Sequence, residues 1–531
     1  MDETLFGDVF FEPWGGSYSY HLGHLKLPFM ILPYLGTLKS WLFRPLFLAF
    51  GANVRSIRIP AVLAGAASIW LFYLLLRRLA GERAAHVGCG LLAADSMYLL
   101  ATCFDWGPVA LQHLLLVGAM LCLVIFWQGT VGKSGDDSRA GRPPLSLSIP
   151  ELALACGFLL FGLAMWDKAL AVWMLSGLGV AALVTIPRQI FGVVTIRRLA
   201  LAVAAFAIGS LPLILYNIHT RGATLRGTAA FDASELYTKF WLLGDTFRGH
   251  ALADWMVAQN ASTIHTHAPH SLLARASAAV DSAAGSPMRS LLLYTFYGAL
   301  LLTPFARGRN LRAILFALVA MAVAWLQMAL TAGAGGSVHH TILLWPLPQM
   351  IMGISLASAS RRLGRAAIPA LTALLVVVIS SALLVTNTYY VRMLRDGGAI
   401  AWSDAIFPLA DYLKRNPAGY IFCLDWGYLD TLRVLSNDRL PVRVGSDPIS
   451  KPELTEDDRA TLADLVSNPA HLFVAHSRGL EFFPGLSAKL VRFAQNAGYQ
   501  AETLAVIPDS YGRPTFEVYR FGATSVAPSV H

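Results

Sequence analysis

The stretch FDWGPVALQHLLLVGAMLCLVIFW, from Phe104 to Trp127, decides the fold class of this chain. A transmembrane helix needs about 20 mostly apolar residues. After Pro108 the stretch supplies them, with no Asp, Glu, Lys or Arg before Trp127. It therefore predicts a membrane span that begins directly after a short polar turn.

The whole chain has the same apolar character. Its 531 residues are 56% hydrophobic and 14% charged, and its mean hydropathy is +0.55. Soluble domains carry about 25% charged residues. The balance excludes a disordered chain, a coiled coil and a soluble nucleic-acid-binding domain, and favours a mainly α, polytopic transmembrane helix bundle. The 13 Trp, 17 Tyr and 28 Phe suit interfacial aromatic belts.

Ten stretches are apolar enough to be candidate spans, and the fourth, being short, is also consistent with a half-length helix packed against protein. They are residues 58–76, 84–102, 108–127, 151–165, 168–186, 198–216, 290–306, 312–331, 341–358 and 366–386.

The loops between these spans alternate in charge. Five loops carry three cations each: Arg77, Arg78 and Arg83; Lys133, Arg139 and Arg142; Arg188, Arg197 and Arg198; Arg307, Arg309 and Arg312; Arg361, Arg362 and Arg365. The intervening short loops carry one, Lys168. The positive-inside rule places the basic loops in the cytoplasm. The net charge of +9 thus reflects orientation in a plasma (inner) membrane and does not indicate nucleic-acid binding.

Three parts of the chain are then expected outside: residues 1–57, the loop 217–289 and the tail from 387. Residues 36–50 alternate aromatic and Leu residues with Lys39 and Arg44, which predicts an interfacial helix or a packed connector. The loop 217–289 predicts a partly helical lid. No signal peptide precedes Asp2, which leaves open an extracytoplasmic N-terminus or a missing first span.

The tail changes periodicity and predicts a small extracytoplasmic α/β domain over 387–531. We expect helices at 405–414, 456–466 and 486–497 and strands at 419–424, 440–444, 471–475, 501–507 and 515–519. It has no Gly-rich phosphate fingerprint or nucleophile elbow, so a cap or docking module is expected. The five cysteines show no metal-binding spacing and are expected to be small buried hydrophobes.

Ionisable groups at membrane depth are costly, so each needs a physical reason. The predicted outer face collects Asp2, Glu3 and Asp8, Asp105, Asp167-Lys168, and His339-His340. Each position also has a simpler explanation. Asp105 could cap the helix after Pro108, Asp167-Lys168 could be a local ion pair, the histidines could be an interfacial pair, and Arg58 could be a snorkelling anchor.

Several motifs resemble the GT-C glycosyltransferases of the protein-mannosyltransferase and aminoarabinose-transferase type. They are, in chain order, Asp2-Glu3, SIRIP at 56–60, FDWGP at 104–108, GLAMWDK at 162–168, Leu211-Pro212 with Tyr216-Asn217, and His339-His340 with Pro346 and Pro348. The resemblance covers about residues 1–360. Two features depart from the family pattern: the family's first helix normally precedes the Asp-Glu pair, and relatives often have a shorter Asp-x-Pro at the second motif.

The resemblance implies an inverting transfer of a sugar from a polyprenyl-phosphate donor to a lipid, protein or glycan acceptor. It implies acceptor activation by Asp2, with Glu3 or Asp8 as alternatives, and acceptor or divalent-cation binding by Asp105. Lys168 would hold the leaving phosphate, helped by Arg58 or by Arg248 of the long loop, and His339 or His340 would contact the donor headgroup. A cofactor is not required by any ligand spacing, and a divalent cation stays an alternative.

Two other function classes remain open from the sequence. A flippase or transporter would place charges near mid-bilayer on broken helices and show internal repeats, whereas the charges here cluster at one face. A non-catalytic scaffold is favoured only by the soluble tail. The sequence therefore predicts a membrane glycosyltransferase and keeps transport as the runner-up.

Overall fold

The computed structural model describes residues 2–11, 16–23, 25–131, 147–228, 230–257, 266–399 and 402–524. The predicted basic residues Lys133, Arg139 and Arg142 lie outside these ranges. The side chain of Asp2 is also outside the description, although its backbone begins the first helix.

The N-terminal segment is a helix, a three-stranded antiparallel sheet and a second helix. The elements are α1 (Asp2–Asp8), β1 (Tyr18–Leu22), β2 (Leu25–Leu32), β3 (Leu35–Gly36) and α2 (Leu38–Phe50). The sheet was not foreseen from the sequence, whereas α2 falls on the helix expected at 36–50. The first turn of α2 is buried, while Leu48 and Phe50 near its end are 77% and 71% exposed.

The described helices between residues 54 and 396 include those that fall on the predicted spans and four that lie in the predicted outer loop 217–289. They are α3 (Val54–Ala80), α4 (Glu82–Ala94), α5 (Ser96–Phe104), α6 (Val109–Val131), α7 (Ile149–Asp167), α8 (Ala171–Thr185), α9 (Pro187–Val193), α10 (Ile196–Gly209), α11 (Leu211–His219), α12 (Ala223–Thr228), α13 (Leu236–Arg248), α14 (Ala253–Met256), α15 (Leu272–Ala284), α16 (Leu292–Leu301), α17 (Arg309–Ala329), α18 (Val338–Thr341), α19 (Leu347–Ser360) and α20 (Ala367–Asp396). Short 3-10 turns occupy Thr303–Phe305, Ile342–Leu344 and Arg361–Ala366.

All ten predicted spans fall on these helical stretches. By length and composition, five described helical stretches can cross a membrane, or up to eight if each of three bent helix pairs is one span. The last two predicted spans lie within one stretch, Val338–Asp396. The chain is a multi-pass membrane protein.

Asp95 explains one of the bends, the 59° angle between α4 and α5. Its Oδ1 accepts hydrogen bonds from the amides of Met97 (3.0 Å) and Tyr98 (3.1 Å), which caps the second helix. Its Oδ2 accepts from Trp345 Nε1 (2.7 Å) and Gln349 Nε2 (3.0 Å). A broken helix inside the bundle is tolerated here because side chains satisfy the freed backbone groups.

The C-terminal region is a five-stranded sheet with helices on both faces. Its elements are α21 (Ile406–Arg415), β4 (Ile421–Cys423), α22 (Leu429–Ser436), β5 (Val442–Val444), α23 (Glu456–Ser467), β6 (Leu472–His476), α24 (Leu486–Asn496), β7 (Tyr499–Pro508) and β8 (Pro514–Ala523). The strand order is β5-β4-β6-β8-β7, parallel over β5, β4 and β6 and antiparallel at β8. The α/β region predicted from the sequence is present, and α22 is the helix that was missed.

Alternation along the strands builds two cores. Ile421 and Cys423 of β4 face the cluster that includes Leu409 of α21 and Leu432 of α22. The residue between them, Phe422, faces the opposite cluster with α23 and α24. This is the period of two that strand geometry imposes.

Asp8 joins this region to the N-terminal helix. Its carboxylate forms an ion pair with Arg433 of α22 at 2.9 Å, and both side chains are buried. Burial and the neighbouring Asp430 act to raise the pKa of Asp8, and the Arg433 guanidinium opposes them by favouring the charged carboxylate. A second contact joins α20 to the region, because Tyr511 Oη donates to the carbonyl of Met393 at 3.0 Å.

Candidate active site

Asp105 lies in the turn between α5 and α6 and is 1% exposed. Its backbone is left-handed, with φ 46°, a conformation that Asp tolerates better than most residues. Its Oδ1 accepts a hydrogen bond from the amide of Ala110 at 3.0 Å, so the capping role expected from the sequence is present. The carboxylate is thereby fixed in direction at the end of the turn.

The other oxygen of Asp105 pairs with Lys39 of α2, and both side chains are buried. The start of α2 is held in place by Thr37 Oγ1, which donates to the carbonyl of Pro28 at 2.7 Å, and by Trp41 Nε1, which donates to the same oxygen at 2.9 Å. The β2 strand therefore positions Lys39 against Asp105. The sequence placed Lys39 on an interfacial helix and did not predict this contact.

Lys168 ends α7 and is 2% exposed. Its backbone forms a bridge with Leu35 of β3, and the next amide, of Ala169, donates to the carbonyl of Tyr34 at 2.9 Å. Its Nζ lies 3.2 Å from the point where a Cβ on Gly107 would stand. The small sheet and the Asp105 turn thus meet at Lys168.

Asp167 is fully buried beside this cluster, and neither of its oxygens makes a hydrogen bond to the described residues. The charges that act on it are those of Asp105, Lys39 and Lys168. A buried carboxylate is retained only where neighbouring charges compensate it. The sequence analysis noted Asp167 only as the partner of Lys168 in a local pair.

The two histidines form one wall of the same region. The ring of Trp106 lies between His339, with centroids 4.8 Å apart, and Trp255, on which it stacks at 5.2 Å. The ring of His340 lies 4.1 Å from that of His339 and packs edge-on against Trp173. Since Trp106 follows Asp105, the structure brings the 104–108 motif and the His339-His340 pair together.

Glu3 and Arg58 form a second polar group at this end of the bundle. The guanidinium donates to both oxygens of Glu3, at 3.0–3.1 Å, and lies 5.5 Å from the ring centre of Phe104. Burial raises the pKa of Glu3, although Arg58 and Lys39 act to lower it. The positive charge of Lys39 therefore acts on both Glu3 and Asp105.

A cavity of about 830 Å³ opens above these residues. Glu3, Arg58, Phe104 and Trp106 line its bundle side, and Trp426 belongs to its C-terminal side. Asp105 lies between two lining residues and is itself buried beneath the wall. The cavity is therefore shared by the N-terminal helix, the bundle and the C-terminal region.

Two of the predicted site residues lie elsewhere. Asp8 pairs with Arg433, as described above. Arg248 pairs with Asp245 of its own helix at 3.2 Å, and among the described residues its ion pairs do not reach the cluster. The side chain of Asp2 lies outside the described part of the chain.

Lys239 of α13 is a further buried cation that the sequence analysis missed. Its Nζ donates to the carbonyls of Ala329 (3.1 Å) and Thr331 (3.0 Å) after the last turn of α17. A cation at a helix C-terminus satisfies free carbonyls. Its charge also acts on His340.

The donor set for a divalent cation is poor here. Within the described ranges, no group of three or more His, Cys, Asp or Glu side chains is arranged to hold a metal ion. The carboxylate of Asp105 is already engaged by Lys39 and by the Ala110 amide. We assign no step to a metal.

A second cavity, of about 740 Å³, is a groove within the bundle with an almost wholly apolar lining. Met165 and Val172, on either side of Lys168 in the chain, line one end. Arg309, Arg312 and Gln189 line its other part, in the helices and loops predicted to face the cytoplasm. The groove thus extends between the two predicted sides of the membrane.

Comparison with known proteins agrees with this architecture. Residues 36–134, under a fifth of the chain, match the family described as dolichyl-phosphate-mannose-protein mannosyltransferase. ArnT from Cupriavidus metallidurans in the apo state superimposes with a TM-score of 0.52 at 14% identity, over 97% of this chain and 92% of that chain. The chain has the GT-C fold. No curated protein sequence matches it.

Two further solved structures match the chain. ArnT from Cupriavidus metallidurans bound to undecaprenyl phosphate gives the same TM-score, 0.52, at 14% identity and the same coverage, 97% and 92%. The archaeal oligosaccharyltransferase AglB from Archaeoglobus fulgidus, in complex with an inhibitory peptide and a dolichol-phosphate, gives a TM-score of 0.47 at 12% identity, over 94% of this chain and 64% of that chain. The fold predicted from the sequence motifs is confirmed.

Proposed function

We propose that this protein is an inverting membrane glycosyltransferase that moves a sugar from a polyprenyl-phosphate donor to an extracytoplasmic acceptor. The observation that carries the proposal is the position of the Lys39, Asp105 and Lys168 cluster, next to both cavities. An apolar groove approaches it through residues that flank Lys168, and a polar and aromatic cavity opens above Asp105. A transferase that joins a lipid-linked donor to a water-soluble acceptor needs a site where an apolar groove and a polar cavity meet.

The groove suits the lipid part of the donor. Its apolar walls match a polyprenyl chain, and its lining includes Met165 and Val172, which flank Lys168 in the chain; the Lys168 ammonium would hold the phosphate as a point charge. ArnT, which shares the fold, has been observed bound to undecaprenyl phosphate. Whether the sugar is a hexose or a pentose is left open by this reasoning.

The reaction is a substitution at the anomeric carbon. The acceptor oxygen attacks that carbon, the bond from the carbon to the phosphate oxygen breaks, and the phosphate takes the bonding electrons. Glu3 accepts the proton of the acceptor hydroxyl, since it lines the cavity and burial raises its pKa toward the range of a general base. Lys168 stabilises the charge that develops on the leaving phosphate.

Asp105 acts differently from the acceptor-binding role that the motif resemblance implies. Its carboxylate is 1% exposed, does not line the cavity and is engaged by Lys39 and by the helix cap, whereas Glu3 lines the cavity. It therefore fixes Lys39 and the Trp106 wall, and His339 contacts the donor headgroup from beside Trp106. Glu3 therefore acts as the base, and Lys168 stabilises the leaving phosphate.

The orientation follows from the charge pattern. With the basic loops in the cytoplasm, the cluster, the cavity and the C-terminal region over residues 387–531 lie on the outer side of the inner membrane. Transport, the runner-up, gains no support from the matched family, which is described as a mannosyltransferase.

The test uses the full-length protein in lipid nanodiscs with a panel of polyprenyl-phosphate sugars, each offered together with lipid, peptide and glycan hydroxyl acceptors, and follows acceptor-dependent release of polyprenyl phosphate. We expect cleavage for one donor, and a loss of about 100-fold in the Lys168→Met variant, the usual size for removing an electrostatic stabiliser. Lys414→Met, an exposed lysine on α21, is the control and should keep full activity. Relocation of intact donor across the bilayer without cleavage would instead establish transport.

A further inference from the structure

The C-terminal region contains a buried histidine–aspartate pair that plays no part in the reaction described above. Asp425 follows β4 and His476 ends β6, and these parallel strands are neighbours. His476 Nδ1 lies 2.7 Å from Asp425 Oδ2. Open α/β sheets bind ligands at the carboxyl ends of their parallel strands, which is where this pair lies.

The carboxylate of Asp425 is held ionised and fixed in place. It accepts hydrogen bonds from the amides of Trp426 (2.8 Å), Phe482 (2.8 Å) and Phe483 (3.0 Å). Burial acts to raise its pKa, but the bonds from His476 and these amides outweigh that effect and lower it. Since an ionised carboxylate only accepts hydrogen bonds, Nδ1 of His476 carries the proton, and neutral His476 has a free lone pair on Nε2.

That second nitrogen is available to the large cavity. His476 lines it and is clamped by the rings of Tyr428 and Phe516, whose centroids lie 5.1 Å and 4.9 Å away. Over the ranges that the structure describes, no hydrogen bond is made by Nε2. Nδ1 of this rigid imidazole is already hydrogen-bonded, so Nε2 can accept a hydrogen bond from a ligand hydroxyl.

The rest of the cavity wall is aromatic with a few polar groups. Trp106, Trp255, Trp402 and Trp426 line it, together with the Glu3–Arg58 pair. The indole N–H of Trp402 is itself buried and finds no acceptor among the described residues, so Trp402 contributes its ring to the wall. The volume of about 830 Å³ is that of a site for one small ligand.

A saccharide fits this chemistry better than a peptide. The C–H faces of a sugar ring stack on indole rings such as that of Trp426, and its hydroxyls can donate a hydrogen bond to Nε2 of His476. A peptide that binds by strand addition would need a free strand edge, and the strand residues that line the cavity, His476 and Phe516, are paired with each other within the sheet. A ligand in the cavity therefore contacts side chains, because these two strand residues have no free backbone edge with which it could pair.

We infer that the cavity is an acceptor subsite for a saccharide unit, held by His476 and Trp426, so that the acceptor is a glycan. The inference rests on the proposed transferase function for its biological meaning, but binding of a free saccharide can be measured without any donor. The C-terminal region would then recognise the acceptor. The Lys168 cluster would bind the donor phosphate at a separate place. A sugar hydroxyl bound here lies in the same cavity as Glu3.

The test is saturation-transfer NMR on the full-length protein in nanodiscs, with methyl glycosides of glucose, galactose, mannose and arabinose as probes. A Ser/Thr-containing peptide is the competing probe. We expect saturation of ring protons for at least one glycoside. In His476→Asn the side-chain amide keeps the bond to Asp425 but lacks Nε2, and we expect about tenfold weaker binding, the usual effect of losing one buried hydrogen bond.

Two further variants test whether weaker binding in His476→Asn reflects the cavity and not a general loss of folding. Trp426, 42% exposed, tolerates truncation, so Trp426→Ala should also weaken binding without unfolding the protein. His86→Asn alters a histidine on α4, outside the cavity lining, and should leave binding unchanged. Absence of glycoside binding, binding unaffected by both cavity variants, or peptide binding alone would overturn the inference.

The donor assay separates this inference from the proposed function. Donor cleavage without glycoside binding leaves the transferase function standing and removes the saccharide subsite. Glycoside binding that depends on His476, without cleavage of any donor, keeps the subsite and removes the transferase function.

Discussion

Lys39 and Asp105 form an ion pair in which the side chains are 0% and 1% exposed, 66 positions apart in the chain. The contact fastens the N-terminal helix α2 to the turn that begins α6. Buried pairs contribute little net stability against an apolar replacement, but removal of one partner leaves the other charge uncompensated. The pair therefore ties the geometry of the site to the stability of the fold.

The first prediction concerns Asp105→Asn. The amide oxygen can still cap α6, but Lys39 loses its counter-charge, so we expect a loss of about 3–5 kcal/mol in the free energy of unfolding and a strong loss of transfer. Thermal unfolding in detergent and polyprenyl-phosphate release measure the two effects. Asp411→Asn, at an exposed carboxylate 66% accessible, is the matched control and should change neither.

The double variant Lys39→Met/Asp105→Asn separates the two roles of the pair. Both charges are then absent, so most of the lost stability should return, while transfer should stay low because the site is no longer ordered by the pair. Recovery of both stability and transfer would show that the pair acts only on the fold.

The fold was largely predictable from local patterns. Long apolar runs predicted the spans, and the change from helical to alternating periodicity after residue 400 predicted the α/β region. The hairpin of β1 and β2 was missed because its strands are short and surrounded by Gly and Pro. The eight-residue helix α22 was missed for a similar reason, since it lies between turn residues and has few periodic positions.

The site was predictable only in outline. Alternation of the loops correctly suggested that residues from the 104–108 motif, Lys168 and His339 come to one end of the bundle, and the structure places them there. The pairings of Lys39 with Asp105 and of Asp8 with Arg433 could not be foreseen, because one sequence contains no information on contacts between distant charges. The same holds for Asp425 and His476, which tertiary packing brings together.

The second prediction concerns the pH dependence of transfer. Burial raises the pKa of Glu3 above its usual 4.5, and Arg58 opposes that effect. If deprotonated Glu3 is the base, the acidic limb of the kcat/KM profile lies above pH 4.5. Arg58→Gln removes the lowering charge, so the limb should move to higher pH.

Arg58→Lys, which keeps the charge, should leave that limb closer to its original position. The variant Glu3→Gln should remove the limb together with most of the activity. If the acidic limb stays at the same pH in Arg58→Gln, a group other than Glu3 titrates there. Glu3 would then not be the general base.

The third prediction concerns Gly107, which has φ 55° and faces the ammonium of Lys168. In Gly107→Ala the added Cβ would stand 3.2 Å from Lys168 Nζ, so the ammonium must shift away from the donor phosphate. We expect a higher KM for the donor with little change in folding. Gly23→Ala shares a positive φ of 60° but meets open space, so it carries the same backbone cost without touching the site.

The fourth prediction concerns the attachment of the C-terminal region. Arg433 is 4% exposed and pairs with Asp8 at 2.9 Å and Asp438 at 3.0 Å, so Arg433→Leu leaves a buried Asp8 without its cation. Breaking a buried pair costs about 3–5 kcal/mol. Hydrogen exchange at one fixed pH should then show lost protection in α1 and α22, which pack on each other, while the bundle helices stay protected.

Arg415→Leu, at an exposed arginine of α21, is the control and should leave exchange in α1 and α22 unchanged. The cavity is shared between the bundle and the C-terminal region, so loosening the attachment should also weaken glycoside binding. Unchanged exchange in Arg433→Leu would mean that other contacts, such as that of Tyr511 with Met393, are sufficient to hold the two parts together.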